Sequence, residues 1–99
     1  MKVRFVQSGG FAGLVKGCEL DTASLPAESA RQLEQLVRQS GIRGSGVFLS
    51  DSGRDLQQYE ITFEGGPSAS VVYDDSSLPL SAKPLIGLLK QHARPQAVK

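Results

Sequence analysis

Between Gln58 and Glu64 the side chains alternate without a break, with Tyr59, Ile61 and Phe63 on one side and Gln58, Glu60, Thr62 and Glu64 on the other. A period of two places the three large apolar groups on one face of an extended strand and all the polar groups on the opposite face. Such a strand suits a sheet that is covered on one side and wet on the other, which is the antiparallel arrangement. Gly65, Gly66, Pro67 and Ser68 supply a turn. Ala69, Ser70, Val71, Val72 and Tyr73 return as the hairpin partner, with Val71 and Tyr73 on the inner face.

A second hairpin precedes this one. Lys2, Val3, Arg4, Phe5 and Val6 read as a strand with Val3 and Phe5 inward, and Leu14 to Leu20 as its partner, with Cys18 and Leu20 continuing the inward face from Leu14. Lys16 interrupts that face, so it is expected near the rim of the sheet, where its head reaches water. Between the hairpins, Pro26 suits the first position of a helix and Glu28 its first turn. Ala30, Leu33, Leu36 and Val37 form one apolar stripe, Glu34 and Arg38 are spaced to pair, and Gly41 suits a left-handed C-cap. A second helix is expected from Ala82 to Ala93, with Ser81 as N-cap and Leu85, Ile86, Leu88 and Leu89 as its stripe. Pro95 is expected to stop it, His92 to lie solvated in its last turn, and Gln96 to Lys99 to fray as a disordered tail. The pattern is ββαββα: an α+β fold with an antiparallel four-stranded sheet and two helices packed on one face, in a single domain over residues 1–95.

The 99 residues suffice for one core, burying about 60 to 65% of the unfolded surface. Eleven basic residues against ten acidic ones, spread along the chain, give a net charge of +1 with no basic, aromatic-interleaved patch, which argues against nucleic acid. No apolar run is long enough to span a bilayer, no secretory signal is visible after Met1, and a single cysteine, Cys18, allows no internal disulfide. Cys18 and His92 are too isolated to suggest a zinc site of the chain's own, and no cofactor is implied. Gly41 to Leu56 reads as a long loop with one apolar anchor at Val47, Phe48 and Leu49, or as a short extra strand. Its Gly41-Ile42-Arg43-Gly44-Ser45-Gly46 segment follows a helix and lacks the lysine of a phosphate-binding loop.

Following the chain up and down the sheet brings three connections to one rim: the first hairpin loop, the 41–56 segment, and the turn after the last strand. The first carries Phe11 at the tip of the glycine-rich run Ser8-Gly9-Gly10-Phe11-Ala12-Gly13-Leu14. Its ordinary reading is a plain hairpin loop whose Phe11 folds back on the edge of the core; the competing one is an exposed apolar finger for a partner's pocket. The last turn carries Asp74 and Asp75, and the middle one adds Asp51 and Asp55. Adjacent aspartates serve most simply as turn formers ahead of a helix. They can also act as acid and base, for which no histidine or pocket pattern is present, or as ligands to a metal held by another protein.

Ser8-Gly9-Gly10-Phe11-Ala12-Gly13, Leu33-Glu34-Gln35-Leu36-Val37, Tyr59-Glu60-Ile61-Thr62 and Tyr73-Asp74-Asp75 with Leu78-Pro79 together resemble, in the same order, the emfourin family of bacterial protein inhibitors. The resemblance covers nearly the whole chain. It implies a small cytoplasmic inhibitor of protealysin-like zinc metalloproteases of the thermolysin family, acting through two neighbouring loops; a monomer is expected. One loop supplies apolar side chains to substrate subsites, which here implies Gly9, Gly10, Phe11, Ala12, Gly13 and Leu14. The other sends an aspartate to the catalytic zinc, a role that the shared rim, and not an aligned motif, assigns here to Asp75 or Asp74. A non-enzymatic interaction module with a different partner, and a small acid/base enzyme using the two aspartates, are the competing readings.

Overall fold

The computed structural model describes residues 1–9, 15–49, 56–65 and 68–95. The expected strands form as β1 (Lys2–Gly9), β2 (Lys16–Asp21), β4 (Gln57–Glu64) and β5 (Ala69–Asp74), all mutually antiparallel where they touch. Two short strands enlarge the sheet: β3 (Gly46–Phe48), which runs parallel to β5, and β6 (Arg94–Pro95), which pairs with β2. Among the described residues the sheet is therefore six-stranded and mixed, in the order β3-β5-β4-β1-β2-β6, which corrects the four-stranded antiparallel expectation at both edges. At one edge the short extra strand is the alternative that formed for Val47 and Phe48. At the other, Pro95 continues the chain into the sheet, because an edge position asks for no N–H on its open side.

The helices are α1 (Ala27–Ser40) and α2 (Lys83–His92), the latter preceded by a 3-10 turn over Leu80–Ala82. Gly41 caps α1 at φ 73°, as expected for a left-handed C-cap. Pro26 lies one position outside the helix, its carbonyl accepting from the Ala30 N–H at 2.9 Å. Ser81 does not cap α2; its hydroxyl donates to the Ser40 carbonyl at 2.8 Å and ties the second helix's approach to the end of the first. The N-terminus of α2 has no side-chain cap and carries Pro84 in its first turn. Among the described residues no helix is long and apolar enough to cross a membrane.

The expected inner faces meet in one core. Val3, Phe5, Ile61, Phe63 and Val71 from the strands pack with Leu33 and Val37 of α1 and Leu85, Ile86 and Leu89 of α2. Both helices thus cover the same face of the sheet, and Cys18, Leu20 and Leu36 pack against the cluster from partly buried positions. The opposite face is polar, with Glu19 accepting from Arg4 at 3.2 Å and lying 3.5 Å from Lys2. Among the described residues Arg4 also approaches Glu64 at 4.0 Å, while Glu34 and Arg38 form no ion pair.

Register determines what the rim holds. Gly9 pairs with Gln57 across β1 and β4, and Gln58 with Asp74 across β4 and β5. The C-terminal ends of β1 and β5 therefore flank the start of β4, two strand spacings or about 10 Å apart. Phe48 pairs with Tyr73, so the end of β3 reaches the same rim. The 41–56 segment is not wholly a rim loop, however: Gly46 pairs with Val71, and Ser45 Oγ accepts from the Ser70 N–H at 2.9 Å, lower on β5.

Candidate functional site at the strand-end rim

Gly10, Phe11, Ala12, Gly13 and Leu14 lie outside the described residues, as do Asp51 and Asp55. The base of their hairpin is described. Gly9 has φ +94°, and a Cβ there would stand 2.9 Å from the Leu56 carbonyl oxygen. Both the conformation and the close backbone approach require glycine at this position.

Asp74 and Asp75 sit in different surroundings. Asp74 is 0% exposed, and its Oδ1 accepts from the N–H groups of Ser76 and Ser77, both at 2.8 Å. Its own N–H donates to Ser77 Oγ at 2.9 Å, and its carbonyl accepts from the Leu78 N–H at 3.0 Å. This is the turn-forming role of an aspartate, a short acceptor closing a loop onto its own backbone. Asp75 is exposed. Its Oδ2 accepts from the Gln57 N–H at 3.2 Å, and its Oδ1 from the Tyr59 hydroxyl at 2.5 Å. The backbone pairing of β4 with β5 starts at Gln58, so the Gln57 amide lies one residue past it and the Asp75 carboxylate takes the place of a strand partner.

Gln57 joins the two halves of the rim. Its backbone N–H holds Asp75, while its side-chain amide donates to the Gly9 carbonyl at 3.4 Å and accepts from Gln7 Nε2 at 3.1 Å. The foot of the first hairpin and the acidic turn are thus linked through one residue. Behind it, the Tyr59 ring is 2% exposed and stacks on Phe5 at 6.2 Å, while Lys90 Nζ approaches the Tyr59 hydroxyl at 3.3 Å and stands 4.9 Å from the ring centroid. Burial, together with the bond to Asp75, pushes the Tyr59 phenol well above its ordinary range.

Gln57, Tyr59 and Lys90 were not among the sequence-predicted site residues. Tyr59 carried a usable signal, since a tyrosine on the inner face of a strand needs a partner for its hydroxyl. Nothing local marked Gln57 or Lys90, whose roles follow from strand order and helix placement. His92 is exposed in the last turn of α2, as expected. Among the described residues no group of three or more His, Cys, Asp or Glu side chains gathers where it could hold a metal ion.

In comparison with known proteins, the family model described as Emfourin aligns with residues 5–90, from β1 through most of α2. No curated protein and no solved structure matches the chain.

Proposed function

The chain belongs to the emfourin family, and on that premise we propose that it is a proteinaceous inhibitor of a bacterial zinc metalloprotease of the protealysin and thermolysin type. The observation that carries this reading is the linkage at the rim: through Gln57, the foot of the Gly9–Leu14 hairpin and the exposed Asp75 carboxylate stand side by side. Strand ends about 10 Å apart let both loops be presented to one active-site cleft.

In this reading Asp75 supplies the zinc-directed oxygen and Asp74 shapes the turn that presents it. A catalytic zinc keeps one coordination position open for water, and a carboxylate oxygen at about 2.0 to 2.2 Å fills it, displacing the nucleophile. Phe11 enters the apolar pocket that such enzymes use for the residue after the scissile bond, with Gly10, Ala12, Gly13 and Leu14 lining its approach. Neither contact holds a peptide bond for attack, so the inhibitor blocks the cleft without being cleaved. The metal belongs to the protease; the inhibitor needs no cofactor, acts as a monomer, and meets its target in the cytoplasm.

The test is a titration of a purified protealysin-like enzyme with this protein, reading residual peptidase activity. Stoichiometric loss of activity is expected. Phe11→Ala should weaken inhibition by a factor of about 30 or more, corresponding to an interface anchor worth about 2 kcal/mol. Asp75→Asn should also weaken it, with the far-ultraviolet spectrum unchanged. A folded protein that leaves several zinc proteases fully active at micromolar concentration would replace the inhibitor with an interaction module for another partner.

A further inference from the structure

Resting on that reading, the hold on Asp75 comes from the Tyr59 hydroxyl, backed by Lys90, and from the Gln57 N–H. The Lys90 ammonium can only donate hydrogen bonds and an ionised carboxylate can only accept them. The phenol between them must therefore accept from Lys90 and donate to Asp75, which fixes the direction of the chain Lys90 Nζ, Tyr59 hydroxyl, Asp75 Oδ1 at 3.3 and 2.5 Å. The Gln57 N–H engages the other oxygen at 3.2 Å. Each carboxylate oxygen offers two acceptor directions, and among the described residues one on each is left for a ligand approaching from outside. Tyr59 itself has little freedom, being 2% exposed with its ring stacked on Phe5.

We infer that Tyr59 and Lys90 are positioning residues for Asp75: with the Gln57 amide they hold an exposed carboxylate in one orientation, ready to meet the metal ion of a partner protein. Two physical effects give this arrangement its consequence. A side chain ordered in advance does not have to be ordered on binding. A donor on the oxygens of a metal-ligating carboxylate also aligns the ligand, and losing such a support typically lowers metal affinity 10- to 100-fold. Tyr59 would then act at one remove, through Asp75, on a zinc ion that it does not touch.

The experiment has two arms, so that the relay and the inhibitor reading fail separately. In the first, inhibition constants against a protealysin-like zinc protease are measured for the wild type, Tyr59→Phe, Lys90→Met, Asp75→Asn and the Tyr59→Phe/Asp75→Asn double variant. Tyr59→Phe keeps the ring in the core and is expected to weaken inhibition 10- to 100-fold, Lys90→Met by less, and Tyr59→Phe should add no further loss in the Asp75→Asn background. An equal loss in both backgrounds would mean that Tyr59 acts on the fold and not through Asp75, and no loss in either would also overturn the inference. In the second arm, with no protease present, three-bond NMR couplings to Asp75 Cγ report its χ1 angle. One rotamer in the wild type and averaging in Tyr59→Phe are expected, and averaging already in the wild type would overturn the relay. A wild type with a single rotamer that inhibits no zinc protease would sink the inhibitor reading alone.

Discussion

Asp74 and Asp75 are joined by a peptide bond, yet one is sealed in a turn and the other stands in water, and substitution should separate them. Removing the Asp74 carboxylate, itself 0% exposed, leaves two part-buried turn N–H groups without the acceptor they hold at 2.8 Å. Asp74→Ala is therefore expected to cost about 1 to 3 kcal/mol of stability, read from the shift of a urea unfolding midpoint. Asp75→Asn should cost no more than about 0.5 to 1.5 kcal/mol by the same measurement, the net worth of one hydrogen bond. Reversed magnitudes would exchange the roles given to the two residues. Gly9 gives a second residue-scale test: a methyl group there meets the Leu56 carbonyl oxygen at 2.9 Å in a backbone at φ +94°. Gly9→Ala should destabilise the protein by about 1 to 3 kcal/mol, the cost of a non-glycine residue held in a disfavoured backbone region, and an unchanged midpoint would contradict the close approach. The sequence showed both aspartates and the glycine; which aspartate is buried depends on how the finished fold surrounds each of them, which two adjacent aspartates do not encode.

At the scale of elements, legibility followed period and length. The strands around Phe5, Ile61 and Val71 and the helix around Leu33 repeat their apolar positions often enough to be read directly. β3 has three residues and pairs in parallel with a strand more than twenty positions downstream, so only the finished sheet defines it. β6 hid behind Pro95, whose usual meaning is a helix stop; the stop is real at His92, and the chain then adds to the edge of β2. The end of α2 is also held from β2, where Cys18 Sγ donates to the Leu89 carbonyl at 3.5 Å. Burial raises the Cys18 thiol above its ordinary value, and the thiolate is the reactive form. Alkylation by iodoacetamide at mildly alkaline pH should therefore be slower in the native protein than in urea, with a rate that reports opening between α2 and β2. Equal rates in both conditions would show that the helix end does not cover the thiol.

For the molecule as a whole, strand order made the candidate site. Hairpins placed side by side in any other order could have set the Gly9 turn and the aspartates at opposite edges; β1 and β5 flanking β4 brings them to either side of Gln57. The same packing gathers acidic groups that the fold keeps protonated: burial raises Cys18 from an ordinary 9.0, and both Tyr59 and Tyr73 from an ordinary 10.0. Tyr59 faces Asp75 and Lys90, while Tyr73 lies in the core with its ring 5.3 Å from that of Phe48. A group whose pKa is higher folded than unfolded contributes its full stability below the unfolded value and loses it as pH rises through the folded one. Above pH 9 to 10 the unfolded chain releases protons that the native protein retains, so the slope of stability against pH is negative. It reaches up to about 1.4 kcal/mol per pH unit for each group in its window. The urea midpoint should accordingly hold between about pH 7 and 8.5 and fall steadily towards pH 11. Tyr59→Phe, which removes one titrating group, should make that fall shallower even if its midpoint at neutral pH is lower. A midpoint that stays level to pH 11 would mean that Tyr59 and Tyr73 reach water in the native state, against the packing that positions the rim.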